Sequence, residues 1–281
     1  EQFSVSTLDG TLATVSISIS GSADTPIVGG DLDGTVIEDQ REQVSGLLSV
    51  SDADAGQTAW IAVKADGQYG ELTLGANGNW TYQLNNSAAE IQQLVTGQSM
   101  HETFELKTVD GTAVSLQIVI QGRDDAPSIS GDVSGSVIED MRLNVSGTLS
   151  VDDADALQST WQATRMQGQY GELLLGSLGN WNYQLNNQLP EIQALTAGAV
   201  LSEQFVVSTA DGSSETLILT IVGANDVPSI TGEQRGAVAD DGAQRAEGTL
   251  RVTDADAGES VWQANRARGQ YGSFSLTVDG A

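Results

Sequence analysis

The chain has 281 residues, no cysteine, and a formal net charge of −27 from 38 Asp and Glu against 11 Lys and Arg. The lack of cysteine excludes disulfide scaffolds, thiolate zinc sites and cysteine nucleophiles, and the acidic excess argues against nucleic acid, whose binding depends on basic patches. No segment approaches the roughly 20 uninterrupted apolar residues of a membrane span, and the first residues lack the pattern of a signal peptide.

The sequence repeats itself with a period of 101 residues, so that Trp60 recurs as Trp161 and Trp262. A period of this length is too long for a solenoid unit and matches a small domain with its own core. We therefore predict a tandem array of small domains. Its parts are the end of one repeat (1–25), two complete repeats (26–126 and 127–227) and the first part of another (228–281).

Within a repeat, alternating apolar and polar residues predict strands. In NWTYQL at 79–84, for example, Trp80, Tyr82 and Leu84 share one face. The strands predicted for the first complete repeat are Ile27–Ile37 (single or split), Val44–Val50, Ala59–Ala65, Gly70–Leu74, Gly78–Leu84, Glu102–Val109 and Thr112–Gln121. About 100 residues and seven short strands indicate an all-β, immunoglobulin-like sandwich, with Trp60 in the third strand facing the opposite sheet.

One short helix is predicted between the fifth and sixth strands. Ser87 and Glu90 have the spacing of a capping box, Ile91 and Leu94 lie on one side, and Gly97 can end the helix. Everything else in the repeat is predicted as strand or loop.

Acidic residues recur in the loops. The string DADA contains Asp52 and Asp54, then Asp153 and Asp155, then Asp254 and Asp256 in successive copies. In a seven-strand Greek-key sandwich, the loop that holds this string lies at the N-terminal pole, and the first connection lies at the C-terminal pole beside the outgoing linker.

This topology predicts clusters of carboxylates at the poles. Asp24, Asp52, Asp54 and Asp110 share one pole of the first complete repeat, and Glu38, Asp39, Asp124 and Asp125 share the other, where Asp153, Asp155 and Asp211 of the next repeat meet them. Two such charges about 4 Å apart repel by roughly 1–4 kcal/mol. A hard cation would relieve the repulsion, and calcium, which takes six to eight oxygen ligands, suits a set rich in carboxylates better than magnesium does.

Several motifs then carry a resemblance to a known family. VIEDQREQVSGLLSVSDADAG (36–56), GQYGELTLGANGNWTYQLNN (67–86), VDGT (109–112) and IQGRDDAPSISG (120–131) resemble the VCBS repeat, a cadherin-like module of large bacterial RTX-type adhesins. The resemblance covers the whole chain. It implies an extracellular, calcium-rigidified rod on the surface of a Gram-negative bacterium, exported by type I secretion and used in attachment and biofilm formation.

The resemblance also implies metal-ligand roles. Cadherins use a glutamate near the first strand, an acidic linker and an Asp-x-Asp of the next domain, and Glu38, Asp124 with Asp125, and Asp153 with Asp155 match these positions. The matching residues of the following junction are Glu139, Asp140, Asn225, Asp226, Asp254 and Asp256. Asn225 has one charge fewer than Asp124, and the first linker has Ala23 before Asp24.

Other functions find less support in the sequence. An EF-hand starting at Asp52 fails because its twelfth position is Val63 and no helices flank it. The single histidine, His101, is replaced by Ser202 in the next repeat, and we expect it to be exposed and the chain not to be an enzyme. Two functions remain open: a structural extender, whose partners are calcium ions and neighbouring repeats, or a module whose surfaces bind glycans or like arrays.

Overall fold

The structure is a computed structural model that describes residues 1–281. The chain forms two compact units, residues 1–125 and 126–281. Both units are nearly all-β, as the sequence predicts. Neither helix is long and apolar enough to cross a membrane.

The first unit contains a complete sandwich and a separate two-stranded sheet. Its elements are β1 (Gln2–Ser6), β2 (Leu12–Ser16), β3 (Ile27–Gly30), β4 (Asp33–Ile37), β5 (Gln43–Ser51), β6 (Val63–Asp66), β7 (Gly70–Leu74), β8 (Asn79–Leu84), α1 (Ala89–Gln92), β9 (Ser99–Lys107) and β10 (Ala113–Gln121). One sheet of the sandwich has the order β3-β5-β8-β7-β6, and the other has the order β4-β10-β9. β1 and β2 pair only with each other.

The second unit repeats this plan. Its elements are β11 (Ser128–Gly131), β12 (Ser134–Ile138), β13 (Asn144–Asp152), β14 (Thr164–Gln167), β15 (Gly171–Leu175), β16 (Asn180–Leu185), α2 (Pro190–Gln193), β17 (Val200–Ser208), β18 (Ser214–Val222), β19 (Ser229–Gly232), β20 (Leu250–Thr253), β21 (Asn265–Arg268) and β22 (Ser273–Leu276). The sandwich sheets have the orders β11-β13-β16-β15-β14 and β12-β18-β17. Two further two-stranded sheets, β19-β20 and β21-β22, follow.

The first predicted strand is split between the two sheets. β3 pairs antiparallel with β5, whereas β4 pairs parallel with β10, the last strand of the repeat. The break follows Gly30, which has φ +99°, and a Cβ there would lie 2.2 Å from the carbonyl oxygen of Leu47. Only glycine fits this crossing between the sheets.

The prediction that Trp60 lies in the third strand is wrong. That strand, β6, begins at Val63, and Trp60 forms an isolated bridge with Thr108. The cause is local pairing: the amide of Ile61 donates to the carbonyl of Lys107 (2.9 Å), so this segment binds the end of β9 in the other sheet. The indole is nevertheless buried, with 2% of its surface exposed.

The predicted capping box is also wrong. The N-cap residue of α1 is Ala88, which makes no side-chain cap bond, and the Ser87 hydroxyl donates to Oδ1 of Asn85 (3.1 Å) instead. The helix ends at Gln92, before Gly97. Gly97, with φ +90°, serves a separate turn in which the amide of Gln98 donates to the carbonyl of Val95.

A second tryptophan, on β8 or β16, lies in the core of each sandwich. The predicted alternation in β8 is confirmed, because Trp80, Tyr82 and Leu84 are all buried. The Trp80 ring lies against Gly46, where a Cβ would come within 2.6 Å of it, and its Nε1 donates to the carbonyl of Asp31 (3.0 Å). Trp181 and Gly147 repeat this packing in the second sandwich.

A buried carboxylate links the two sheets of each sandwich. Glu102 lies on the inward face of β9 and accepts hydrogen bonds from the Tyr82 hydroxyl (2.8 Å) and the amides of Gln68 and Tyr69. Burial, followed by the contact with Glu102, raises the pKa of Tyr82. Glu203 repeats this role with Tyr183 and Tyr170, and the pattern of the sequence does not predict it. His101, the residue before Glu102, is exposed as predicted.

A strained leucine distinguishes the second sandwich. Leu157 has φ +69° and is 94% exposed, whereas Gly56 and Gly258 occupy the matching positions of the other copies. A left-handed conformation costs a non-glycine residue roughly 1–2 kcal/mol. A glycine at this position would remove that cost. It would also increase the entropy of the unfolded chain, which lowers stability by about 0.5–1 kcal/mol.

We therefore expect Leu157→Gly to stabilise the second sandwich by about 0.5–1 kcal/mol. Urea unfolding of the full chain, followed by tryptophan fluorescence, measures the shift. Leu157→Ala is the control, because it removes the exposed side chain but keeps a Cβ at positive φ. Equal stabilisation by both variants would show that backbone strain is not the cause.

Candidate metal centre

The Asp-x-Asp loops have the same local structure in successive copies. The amide of Asp54 donates to Oδ1 of Asp52 (2.7 Å), and the amide of Asp256 donates to Oδ1 of Asp254 (3.0 Å). These bonds within the loop fix the first aspartate of each pair. Asp155 and Asp153 form the same bond, at 3.0 Å.

Two of the linkers are bound to the second aspartate of the loop that follows them. The amide of Asp24 donates to Oδ2 of Asp54 (2.8 Å), and the amide of Asp226 donates to Oδ2 of Asp256 (2.8 Å). The structure therefore brings these two linker acids to the loop, as the topology predicts.

The glutamate of the first connection binds the start of the linker that leaves the same repeat. Glu139 follows β12, and its Oε1 accepts a hydrogen bond from the amide of Ala224 (2.8 Å), just after β18. Arg123 and Glu38 make the same bond in the first unit (2.7 Å). Because β12 and β18 run parallel, with Ile138 paired with Val222, the connection and the linker leave the sheet side by side.

Electrostatic interactions link five carboxylates in the second unit, those of Glu139, Asp140, Asp226, Asp254 and Asp256. Burial, together with the charges of Asp226, Asp140 and Asp256, raises the pKa of Glu139. Burial and the neighbouring Asp140 likewise raise the pKa of Asp226. The raised pKa values indicate that ionising Glu139 and Asp226 is unfavourable without a compensating positive charge, whereas the hydrogen bond from Asn187 lowers the pKa of Asp140.

Three oxygens of this cluster have no compensating donor. Oε2 of Glu139, Oδ2 of Asp226 and Oδ1 of Asp256 are buried and accept no hydrogen bond. The Glu139 and Asp256 side chains are only 1% and 2% exposed. Burying an ionised carboxylate in this way is costly unless a cation or a donor satisfies it, so this donor set fits a hard cation.

The carboxylates alone do not form a finished coordination shell. No group of three or more His, Cys, Asp or Glu side chains has a geometry that would hold a metal ion. A calcium shell would need the carboxylates to draw together and would take further oxygens from the backbone or from amide side chains such as Asn225.

Amide side chains that the sequence analysis missed surround one of the acids. Oδ1 of Asp140 accepts hydrogen bonds from Nδ2 of Asn187 (2.5 Å) and Nε2 of Gln193 (3.2 Å). Asn86 and Gln92 hold Asp39 in the same way in the first unit. The signals in the sequence are the recurrence of an Asn-Asn pair after β8 and β16 and of Gln92 as Gln193.

The hairpin aspartates have local partners. Both oxygens of Asp110 accept hydrogen bonds within its own turn, from Thr108 and Thr112, and Asp211 binds Thr209 and Ser213 in the same way. The hydrogen bond from Thr108 lowers the pKa of Asp110. These contacts give both aspartates a structural role in the turn.

The residues predicted for the first junction divide between the two units. Glu38, Asp39, Asp124 and Asp125 belong to the first unit, and Asp153, Asp155 and Asp211 belong to the second. Within the first unit, Oδ1 of Asp124 accepts a hydrogen bond from the amide of Thr96, and the Thr96 hydroxyl accepts one from the amide of Asp124, both at 3.0 Å. The meeting of the two halves stays a prediction.

Comparison with known proteins gives one family match. The model of the family described as "Bacterial cadherin-like domain" matches residues 23–122 and 124–223. No curated protein matches the sequence significantly.

Similar solved structures include PcdhgB3 EC1-4, with 12% identity over 100% of this chain and 81% of that chain and a TM-score of 0.43. The protocadherin gammaB7 EC3-6 cis-dimer has 14% identity over 92% of this chain and 64% of that chain, with a TM-score of 0.48. Mouse clustered PcdhgC3 EC1-3 has 16% identity over 89% of each chain, with a TM-score of 0.38.

We expect Glu139→Gln to raise the melting temperature of the cation-free protein near neutral pH. The variant keeps the oxygen that binds the amide of Ala224 and removes the buried charge. Because the folded-state pKa of Glu139 is raised, its contribution to stability is present below the ordinary pKa and is lost as the pH rises through the raised value.

Calorimetry in a calcium chelator at about pH 5 and about pH 7 tests this sign. The gain of the variant over the wild type should be larger at the higher pH. Glu191→Gln, at an exposed acid on α2, is the matched control and should not reproduce the effect. A variant less stable than the wild type at the higher pH would contradict the prediction.

Proposed function

The chain belongs to the bacterial cadherin-like domain family, and from this premise we propose that it is a calcium-rigidified extender of a secreted or cell-surface adhesin. Cadherin-like domains are extracellular adhesion-type modules, typically without enzymatic activity, and their tandem repeats imply interaction between neighbouring domains. In this role the repeats would hold a distant binding region away from the cell.

One observation carries the calcium assignment: the three buried carboxylate oxygens of Glu139, Asp226 and Asp256 that accept no hydrogen bond. They belong to three chain segments, namely the first connection, the linker and the loop of the following repeat. A divalent cation with oxygen ligands would supply the missing positive charge and join the three segments.

The residues proposed to hold calcium in the second unit are Glu139, Asp140, Asn225, Asp226, Asp254 and Asp256. The corresponding set proposed for the first junction is Glu38, Asp39, Asp124, Asp125, Asp153 and Asp155. Asp24, Asp52 and Asp54 would serve the linker before the first complete repeat. Asp110 and Asp211, whose oxygens bind their own turns, would contribute least.

Weak binding would suffice for this function. Extracellular calcium modules have dissociation constants of about 0.1–1 mM, so such sites would fill outside a cell and stay empty in the cytosol. A cation that binds only the folded state stabilises it by RT ln(1 + [L]/Kd). Calcium would therefore favour folding after export as well as stiffening the array.

The finer assignments rest on the motifs that resemble VCBS repeats. Loops rich in Asp, the absence of cysteine and the tandem period are all compatible with an RTX-type adhesin that leaves a Gram-negative cell by type I secretion. In that setting the array would support attachment and biofilm formation. Catalysis is not part of the proposal.

The test is the response of the full chain to calcium. We expect about 1 mM calcium, compared with a chelator, to raise the melting temperature and to extend the particle in small-angle X-ray scattering. At this concentration, which is about 1- to 10-fold over the expected Kd, each site should stabilise the folded state by about 0.4–1.4 kcal/mol.

Asp256→Asn should remove much of this response, because it removes one charge from the cluster and keeps an acceptor for the amide of Asp226. Glu259→Gln, an exposed acid just after the same loop, is the matched control and should respond like the wild type. If neither shape nor stability of the wild type responds to calcium, the proposal fails.

One observation favours a second function, in which the repeat surface binds directly. Leu157 and Leu178 are 94% and 81% exposed, whereas the copies have Gly56 and Asn77 at these positions. Their loops lie next to each other, since the amide of Trp161 donates to the carbonyl of Ser177 (3.0 Å). Exposed leucines suit contact with a like array better than glycan binding, which uses ring faces.

We expect such contact to appear as concentration-dependent self-association in sedimentation velocity with calcium present, because calcium would screen the net charge of −27. The double variant Leu157→Gly/Leu178→Asn restores the residues of the first repeat and should abolish it. A wild-type chain that stays monomeric would exclude this second function.

A further inference from the structure

We propose that Asn187 and Gln193, and their counterparts Asn86 and Gln92, are positioning residues that aim the aspartate of the first connection at the cation site. We call each such pair of amide side chains the amide clamp. The inference rests on the proposed calcium function, and it assigns a role to residues that are neither acidic nor part of the linker.

The clamp in the second sandwich binds Asp140 from two elements. Asn187 follows β16, and Gln193 is the last residue of α2. Both donate to the same oxygen of Asp140, Oδ1, at 2.5 Å from Nδ2 of Asn187 and 3.2 Å from Nε2 of Gln193. Oδ1 of Asn187 also accepts a hydrogen bond from the backbone amide of Asp140 (3.0 Å).

The same clamp exists in the first sandwich, which is a separate unit. Asn86 donates to Oδ1 of Asp39 at 2.5 Å and accepts from the Asp39 amide at 3.1 Å, while Gln92 donates to the same Oδ1 at 3.3 Å. The same three hydrogen bonds are therefore formed in both sandwiches.

The clamp holds its aspartate in an unfavourable backbone conformation. Asp140 has φ +56° and Asp39 has φ +52°, both in the left-handed region. Such a conformation persists in a non-glycine residue only when surrounding contacts fix it, and it is often found at functional sites. A glycine would relieve the strain but would remove the carboxylate.

The hydrogen bonds leave one carboxylate oxygen unclaimed by the clamp. Both amides donate to Oδ1, so neither occupies Oδ2 of Asp140. Asp140 also contacts the side chain of Asp226, the linker acid whose Oδ2 is buried and accepts no hydrogen bond. Two carboxylates in contact need a proton or a cation between them.

The short helix α2 positions one of the two amide donors of the clamp. It has four residues, from Pro190 to Gln193, and buries Ile192 in the core. Its last side chain reaches back to Asp140, which lies 53 residues earlier in the chain. The anchored helix thus holds the Gln193 amide donor in place before any cation binds.

The test is calcium titration of the full chain by isothermal calorimetry. Removing partners that orient metal ligands typically weakens metal binding 10- to 100-fold. We therefore expect Asn187→Ala/Gln193→Ala to weaken, by about tenfold or more, the sites that Asp256→Asn abolishes. Gln188→Ala, an exposed amide next to the clamp, should bind calcium like the wild type.

A double-mutant cycle separates positioning from general stabilisation. In an Asp140→Ala background the clamp substitutions should have no further effect on calcium affinity, since they act through Asp140. Gln193→Ala alone keeps a good helix former at the end of α2 and should fold, which thermal melts verify. We expect Gln193→Ala to lose less calcium affinity than the double variant does. If the double variant is unstable, this single variant provides the test.

Two results would overturn the inference. Wild-type affinity in the clamp double variant, or an undiminished loss in the Asp140→Ala background, would show that the amides do not position the ligand. In either case the proposed function would still hold if the wild type binds calcium and Asp256→Asn removes that binding. A wild-type chain that binds no calcium would overturn both the function and the inference.

Discussion

A carboxylate that is removed from water needs hydrogen-bond donors or a cation, and this constraint governs both the core and the poles of the repeat. Inside the sandwich, Glu203 accepts hydrogen bonds from the Tyr183 hydroxyl and the Tyr170 amide, and the pair of sheets closes over a compensated charge. At the pole, Glu139 receives one backbone amide and has one buried oxygen without a donor. The protein satisfies the first glutamate with its own groups and leaves one oxygen of the second without a donor.

The topology explains why the second kind of site lies at the end of a repeat. The split of the first strand sends β12 into the smaller sheet, where it runs parallel to β18. The amide of Glu139 donates to the carbonyl of Val222 (3.1 Å), so the end of the first strand is attached to the end of the last. A single first strand that paired with β13 throughout would have placed Glu139 in the larger sheet, away from the end of β18. The chain crosses from one sheet to the other at Gly131, so this glycine is needed for the cluster of acids at the end of the repeat as well as for the sandwich.

The sequence supported prediction where the cause of structure was local or periodic. Alternation predicted the buried face of β8 through Trp80, Tyr82 and Leu84, and the split of the first strand was one of the two stated alternatives. Trp60 could not be placed from its neighbours, because the pairing that removes it from β6 is made with the end of β9, nearly fifty residues later. The capping box failed because the helix begins one residue later than the pattern requires, with Ala88 as its N-cap, so the Ser87 oxygen is not placed to accept from the backbone amide of Glu90. The amide clamp was missed for the same reason as Trp60, since Asp140 and Asn187 are 47 residues apart.

The linker of the second unit is joined to both of its neighbours by backbone amides two residues apart. The amide of Ala224 donates to the glutamate of the repeat before it, and the amide of Asp226 donates to the aspartate of the repeat after it. An inserted or deleted linker residue would turn one of these amides away from its acceptor, whatever side chain it carried. Gain or loss of a whole repeat leaves this spacing intact, because recombination in register preserves every linker. The constant period of 101 residues between the copies is what this constraint on linker length would produce.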